Sequence, residues 1–413
     1  MTSRSLGKID SRQAIIYLTY AAVFLTPLDA FLLYVPLLAA AVLAVYRRLR
    51  FGRGEWRTGP FPLAAAGFFA CSALSIIFSV DRAFSLFNWC FLPCMYAAMY
   101  LLIVSYIRTE KERRRMLAVI AAASVCVIAY GLWQFADIGH MSAEIAAQDW
   151  VDPERFPLLY RRMYSTLENP NLLAGYLLMM IGLFTPFALL DTHKGQRGMI
   201  LGFAAALVLC LLLTYSRGAW VSLAVMAAVL GFLYDRRIWL IFLAVPAVLL
   251  LYHGQITERF LSLFSGEDTS ILLRVALWDS TEMMIEEHPL TGVGWGAYFE
   301  AYPAYNYFIA DPNVIIYHAH NMYLSIPAEI GLPGGIFYFI LFFGHGFAAA
   351  RLWRRGTSAF GRAAGLGGAL AASGMAVYGL GDYVLFSRAV SFCFWALCAF
   401  CVSEEEDEED RKI

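Results

Sequence analysis

Long apolar blocks alternate with shorter polar segments along the whole chain. The blocks run for about 15 to 24 residues without strand-like alternation, close to the length a helix needs to cross roughly 30 Å of hydrocarbon. Because lipid offers the backbone no hydrogen-bond partner, such blocks must be helices. The pattern predicts about twelve transmembrane helices, at 13–28, 30–46, 61–80, 85–107, 116–136, 169–190, 198–215, 219–234, 237–253, 333–350, 363–381 and 387–402.

Composition indicates the class of protein, and the distribution of charge predicts how the chain is oriented in the membrane. Of the 413 residues 60% are hydrophobic and 15% are charged, so we predict an all-α integral membrane protein with one polytopic domain over 1–413. With a cytoplasmic N-terminus, 23 of the 31 Lys and Arg residues fall on the cytoplasmic side, as the positive-inside rule requires. The segments 137–168 and 254–332 are then periplasmic loops, and 403–413 is an acidic cytoplasmic tail. We expect the first apolar block to be an anchor, since it leads into a second block with no cleavage site.

The few ionisable residues near the predicted spans lie on one side of the membrane. They map to outer helix ends or outer loops: Glu168, Arg217, Arg274, His318, His320, Glu329 and Asp382. A transporter or channel is expected to place some such groups near the middle of its spans, where they line the pathway. The distribution therefore favours chemistry at the outer interface.

Two arginines in this outer region are candidate anion ligands. Arg217 is the only charge in the apolar stretch LLLTYSRGAWVSL, and the adjacent Gly218 permits a sharp turn and close approach of a ligand. Arg274 lies on a predicted amphipathic helix, at the edge of its apolar face. That helix has Thr269 or Ser270 as its cap and Ile271, Val275, Trp278 and Ile285 on one face. A guanidinium at headgroup level is suited to holding a phosphate; a helix-end anchor for Arg217 and a snorkelling side chain for Arg274 are the alternatives.

The passage YHAHNMYLSIPAEIGLPGG at 317–335 holds two histidines just before the tenth predicted span. Three roles are open for His318 and His320. As metal ligands they would point in nearly opposite directions if they lay two residues apart on a helix, and no D-x-D pair accompanies them. A satisfied structural histidine is the second interpretation. The third is a general base, because a neutral imidazole near pH 7 is suited to taking a proton from a sugar hydroxyl.

An arginine pair with a histidine base indicates one reaction type. An alcohol would displace a phosphate-bearing leaving group from a sugar carbon, and the base would activate the incoming hydroxyl. The arginines would neutralise the charge that builds on the departing pyrophosphate, a role that a metal ion has in many other transferases.

Four passages in order along the chain resemble the O-antigen ligase and polymerase superfamily: LENPNLLAGYL at 167–177, YSRGAW, RVALWDS followed by EHPLTGVGWGAYF, and HAHNMYLSIPAEIGLPGG. The resemblance implies a GT-C-like arrangement, with a helical periplasmic loop between the ninth and tenth spans. It also implies a metal-independent glycosyltransferase at the periplasmic face of a Gram-negative inner membrane. The donor would be a glycan on undecaprenyl pyrophosphate, with membrane lipids and no nucleic acid as further partners.

The resemblance also implies roles for particular residues. Arg217 and Arg274 would contact the pyrophosphate, and His320, which matches the family's His-Asn pair, would be the catalytic base. His318 would orient its neighbour or bind substrate, while Asn321 would fix the imidazole or cap the helix. The candidate substrate-binding residues are Arg217, Arg274, His318, Asn321, Trp278, Arg162, Asn169 and Asn171. We expect no cofactor and no bound metal.

Several functions within and outside the superfamily stay open. A ligase would join the finished glycan to lipid A-core, whereas a polymerase would join one lipid-linked repeat unit to another. A protein O-oligosaccharyltransferase is less favoured, because the chain has no large extra periplasmic domain for a protein acceptor. A solute transporter is less favoured because the spans lack charges at mid-depth.

Overall fold

The structure, a computed structural model, describes residues 10–52, 56–137, 162–191, 194–240, 242, 269–306 and 315–402, without the side chains of 194 and 269–272. Every regular element within these residues is helical, as predicted. The α-helices are α1 (Ser11–Leu25), α2 (Tyr34–Phe51), α3 (Pro62–Ile77), α4 (Arg82–Phe91), α5 (Pro93–Tyr106), α6 (Glu110–Ala136), α7 (Pro170–Leu190), α8 (Lys194–Leu213), α9 (Arg217–Leu233), α10 (Thr269–Glu287), α11 (Tyr298–Ala301), α12 (Met322–Arg355), α13 (Ala359–Tyr378) and α14 (Arg388–Val402). Short 3-10 turns lie at Ser165–Leu167, Arg236–Leu240, Tyr302–Tyr305 and Val384–Phe386.

The described helices overlap all but one of the predicted spans. Within the described residues, five helical segments are long and apolar enough to cross a membrane, namely Arg82–Tyr106, Glu110–Ala136, Pro170–Leu190, Gly195–Leu213 and Met322–Arg355. Three shorter apolar helices are α3, α9 and α14. The ninth predicted span, 237–253, falls mostly outside the described residues, as do most of the 137–168 loop and the tail 403–413. A multi-pass membrane architecture is therefore supported, while the number twelve stays a prediction.

Two predicted spans coincide with helical segments that are interrupted. The fourth, 85–107, lies almost wholly within the apolar segment Arg82–Tyr106, in which α4 ends before Pro93 and α5 begins at it because Pro93 has no backbone N–H. The helix α12 begins at Met322, so the last residues of the predicted 254–332 loop are helical, and its part after Gly331 coincides with the tenth predicted span, 333–350. The helix α12 is interrupted at Gly331, whose φ of 74° and ψ of 165° are not helical. An added Cβ there would collide with the carbonyl of Leu290, so the kink makes room for the loop after α10.

The helix α7 is the most deeply buried of the candidate spans and lies at the centre of the described bundle. It packs against α8 and α13, while α13 also packs against α9 and α12. A Cβ on Gly182 of α7 would lie 2.8 Å from the backbone nitrogen of Ala371 of α13. A small residue here lets two membrane helices approach closely, which is the usual basis of their association.

A second, smaller core joins α10 to the start of α12. Its α10 members are Leu277 and Met284, both fully buried, with Trp278 and Ile285 packed against them. The predicted apolar face was correct for Trp278 and Ile285 and wrong for Val275, which is 43% exposed. The buried stripe follows Leu277, Thr281 and Met284 at helical spacing instead. The predicted caps and Ile271 lie outside the described side chains.

Four interhelical connections meet at one end of the bundle. Met163, which precedes α7, donates its N–H to the carbonyl of Leu213 at the end of α8 (2.9 Å). Met322, at the start of α12, donates to the carbonyl of Gly379 at the end of α13 (2.8 Å). The packing therefore gathers segments that are far apart in sequence into one polar cluster.

Candidate functional site

The histidine pair lies in the loop before α12 and not on a helix. The backbone of His320 has a φ of 50°, a left-handed conformation that is uncommon for residues other than glycine. Its N–H donates to Nδ1 of His318 (3.0 Å), and the two ring centroids are 4.4 Å apart. The expectation of nearly opposite side-chain directions was wrong, because it assumed helical geometry. Strained backbone of this kind is concentrated at functional sites in proteins.

Asp382 is the acidic partner of this pair. Its Oδ1 lies 3.1 Å from Nδ1 of His320 and accepts the N–H of Tyr383 (2.8 Å), while Oδ2 accepts an N–H of the Asn171 side chain (2.8 Å). Burial alone would raise the pKa of Asp382, but the interactions with His320 outweigh burial and hold the pKa below its usual range. The carboxylate is therefore ionised and acts only as an acceptor.

The hydrogen bonds assign different tautomers to the two neutral histidines. Because ionised Asp382 accepts from Nδ1 of His320, that nitrogen carries the proton in the neutral ring and Nε2 is left with a lone pair. Nδ1 of His318 accepts the backbone N–H of His320, so the proton of neutral His318 is on Nε2. Burial lowers the pKa of His318 to about 3, and the proximity of His320 adds to the shift. His320 is thus able to accept a proton at Nε2, and His318 is able to donate a hydrogen bond.

Arg162 and Asn171 extend the cluster towards the α8–α9 connection. Arg162 donates from Nη2 to Oδ1 of Asn171 (2.7 Å) and from Nε to the carbonyl of Thr214 (2.8 Å). Burial lowers the pKa of Arg162 to about 10, and the charges of Arg274 and Arg217 contribute in the same direction. The side chain remains protonated at neutral pH.

Arg217 is buried and begins helix α9, directly after the three-residue connection 214–216. The sharp turn is at Tyr215, whose φ is 52°, and not at the predicted Gly218, which lies within α9. A Cβ on Gly218 would lie 3.2 Å from the ring of Tyr378, so glycine allows α9 to pack closely on α13 there. The N-terminal end of α9 adds partial positive charge at this point. An anion near Arg217 would be stabilised by the guanidinium and by the N-terminal end of this helix.

Arg274 is on α10 and is partly exposed. Its charge acts on His318, Asp382 and Arg162, which indicates that α10 brings it to the same cluster. The guanidinium group of Arg162 therefore interacts with those of Arg217 and Arg274, and the groups of Arg162 and Arg274 also interact with the Asp382 carboxylate. The excess positive charge suits an anionic ligand such as a phosphate.

The remaining predicted residues hold the segments in place. Trp278 donates from Nε1 to the carbonyl of Ala319 (3.1 Å), which ties α10 to the histidine loop. The side chains of Asn169 and Asn321 cap α7 and α12 by accepting the N–H groups of Asn171 and Tyr323 (2.8 Å each). Of the two roles considered for Asn321, capping is the one seen.

Asp382 was placed at an outer helix end from the sequence but was omitted from the candidate site. It is the only acidic residue in the connection between α13 and α14, and that isolation was the available signal. Tyr378 was missed as well. Its hydroxyl lies 2.9 Å from Oγ of Ser216 and donates to the carbonyl of Asn171 (3.1 Å). It therefore joins α13 both to α7 and to the connection that precedes Arg217.

A largely apolar cavity of about 600 Å³ lies beside the polar cluster. Tyr383 and Phe386, which line it, also contact His318, with ring centroids 5.9 and 4.4 Å from the imidazole. From there the cavity extends along α12 past Glu329 to His345. From the kink at Gly331 to His345 the helix rises about 21 Å at 1.5 Å per residue, so the cavity is long enough for part of a long hydrocarbon chain.

The histidine pair and Asp382 could also bind a metal ion. Among the described residues, His318, His320 and Asp382 have donor atoms within 4.8 Å of one another. However, Nδ1 of each histidine and both oxygens of Asp382 are already hydrogen-bonded. The positive charges of the neighbouring guanidinium groups would also repel a metal cation. The arrangement fits a proton acceptor better than a metal centre.

An all-helical membrane protein with a histidine–carboxylate pair beside clustered arginines is thus the class that the fold and site define. Residues 201–339, about a third of the chain, match the family model described as O-antigen ligase. The predicted resemblance to the O-antigen ligase superfamily is therefore confirmed, and the matched segment contains Arg217, Arg274, His318 and His320. No curated protein shows significant similarity to the chain.

Proposed function

We propose that this protein is an O-antigen ligase, which transfers a glycan from undecaprenyl pyrophosphate to a sugar hydroxyl of lipid A-core. The observation that carries the proposal is the His320–Asp382 pair, with Nε2 of the imidazole left as the acceptor, next to Arg217, Arg274 and Arg162. The family of residues 201–339 supports a glycosyltransferase of the ligase or polymerase type. The site would face the periplasm, in the inner membrane, with both chain termini cytoplasmic.

The reaction would be one displacement at the anomeric carbon. The acceptor oxygen forms the new bond to that carbon while its proton passes to Nε2 of His320, and the carbon–oxygen bond to pyrophosphate breaks. The electron pair leaves with undecaprenyl pyrophosphate, whose growing charge Arg217 and Arg274 neutralise. The Asp382 carboxylate stabilises the imidazolium that forms. His318 would donate from Nε2 to substrate.

The long apolar cavity would hold part of the undecaprenyl chain. It begins at Tyr383 and Phe386, whose rings contact His318, so a lipid in the cavity would have its pyrophosphate at the polar cluster. The cavity has room for the part of the undecaprenyl chain nearest the pyrophosphate, and the rest of the chain would lie in the bilayer.

The test is transfer by purified wild-type and His320→Ala protein with lipid-linked donor and lipid A-core acceptor in chelator. The variant should lose about 10²- to 10⁴-fold in turnover, the usual contribution of a general base, and should still bind undecaprenyl pyrophosphate. An α-linked donor should give a β-linked product. Near-normal turnover by the variant would make His320 structural, and retained α configuration would exclude a single displacement.

A polymerase uses the same chemistry with a different acceptor, so a genetic experiment separates the two. Deletion of the gene in its host should abolish all long chains on lipopolysaccharide while undecaprenyl-linked polymer accumulates. Core that carries a single repeat unit would instead identify a polymerase.

A further inference from the structure

Four side chains from separate segments form a continuous hydrogen-bonded chain that ends at His320. Arg162 donates to Asn171, Asn171 donates to Asp382, and Asp382 accepts from His320, with distances of 2.7, 2.8 and 3.1 Å. Asn171 is 211 residues from Asp382 in sequence. The chain therefore depends on the packing of α7 beside the α13–α14 connection.

The orientation of each group in this chain is determined by its neighbour. An arginine has only donors, so the atom of Asn171 that faces Arg162 must be the amide oxygen. The amide nitrogen then faces Asp382, as its hydrogen bond requires. With Oδ2 bound to Asn171 and Oδ1 bound to the N–H of Tyr383, the carboxylate plane is fixed. Oδ1 is consequently held towards Nδ1 of His320.

Arg162 is fixed in turn by the α8–α9 connection. Its Nε donates to the carbonyl of Thr214, three residues before Arg217. Two nitrogens of the guanidinium, Nε and Nη2, thus donate to protein acceptors, so fewer N–H groups remain for a substrate phosphate. The same side chain links the segment that carries Arg217 to the histidine.

We propose that Arg162 and Asn171 are positioning residues, which orient Asp382 so that His320 keeps its proton on Nδ1 and presents Nε2 to the incoming hydroxyl. This assignment rests on the proposed function. It differs from a substrate-binding role because both residues would act on kcat through His320, and neither would contact the donor.

Substitution of Asn171 by aspartate gives the sharpest test. The Oδ1 position is retained for Arg162, but a second carboxylate now faces Asp382 where an N–H donor stood. Two adjacent carboxylates hold one proton between them more tightly than either would alone. When that proton is bound, the introduced carboxyl group again donates to Asp382. The pH optimum of Asn171→Asp should therefore move to lower pH than that of the wild type, with partial recovery of kcat there.

Asn171→Ala should lower kcat by about 10- to 100-fold, less than the loss of the base itself, with the donor KM changed less than threefold. In the His320→Ala background the same substitution should cost less than threefold, because its effect passes through the imidazole. Arg162→Lys retains the positive charge but replaces the planar guanidinium with a single ammonium group. Its kcat should lie between those of the wild type and Asn171→Ala. Ser124→Ala, which removes a buried hydrogen bond between α6 and α7 (2.7 Å, to Tyr176), is the matched control and should retain wild-type kinetics.

The measurements are steady-state transfer at pH 5 to 9 with detergent-purified protein, each variant first shown to elute and melt as the wild type does. A raised donor KM at unchanged kcat in Asn171→Ala or Arg162→Lys would make these residues substrate ligands and overturn the proposal. So would an Asn171→Asp profile that matches the wild type, or a full loss on adding Asn171→Ala to His320→Ala. Near-normal turnover of His320→Ala alone would instead refute the proposed function, so the two failures are distinguishable.

Discussion

The contribution of Asp382 can be predicted from its distance to His320. In the proposed reaction His320 takes the proton of the acceptor hydroxyl, and a positive charge would then form 3.1 Å from the carboxylate. At an effective dielectric constant of about 20 this separation corresponds to roughly 5 kcal/mol. The His320 side chain is 35% exposed, so solvent screens part of this attraction. We expect about 2 to 3 kcal/mol to act in the transition state, which is roughly 30- to 160-fold in rate.

Asp382→Asn is the substitution that tests this value. An amide in this position has the size of the carboxylate but no charge, and its nitrogen would face the nitrogen of Asn171 or of His320. Turnover should fall roughly 30- to 160-fold with little change in the donor KM, measured as transfer to lipid A-core over a range of donor concentrations. Asp191→Asn is the matched control, because Asp191 pairs with Arg114 (2.7 and 3.0 Å) and lies at the other end of α7. A kcat for Asp382→Asn within threefold of wild type would refute the electrostatic role.

Three further outcomes are expected. Arg217→Lys and Arg274→Lys should each lower transfer at least tenfold in folded protein, since an ammonium cannot grip two phosphate oxygens; wild-type rates in both would leave them as interface anchors. Protein stability should fall as the pH decreases from about 6.5 towards 3, because the folded pKa of His318 is about 3 and its ordinary value is 6.5, so the unfolded chain binds the extra proton. His318→Gln should reduce the loss of melting temperature between pH 7 and pH 5, and an unchanged loss would contradict the assignment. Ala97→Trp, which fills part of the cavity, should raise KM for an undecaprenyl donor more than for one with a short prenyl chain, and equal effects would exclude the cavity as the lipid site.

The sequence by itself determined the helical class and the end of the bundle at which the site lies. Hydropathy is a local property, and in lipid a long apolar block has no alternative to a helix, so the spans could be read one at a time. The scarcity of charge elsewhere in the apolar stretches identified Arg217, Arg274 and the histidine pair as unusual. Each of these signals is contained within a single segment.

The tertiary structure alone decided how these segments meet. Asp382 lies 62 residues from His320, and Asn171 lies 211 residues from Asp382, so no spacing in the sequence indicates either hydrogen bond. The left-handed backbone of His320 also could not be predicted, because local propensity disfavours it and only the surrounding contacts maintain it. The orientation of the His320 ring depends on both that backbone and the Asp382 carboxylate. The packing of α7, α12 and α13 supplies them, through contacts between helices that hydropathy treats independently.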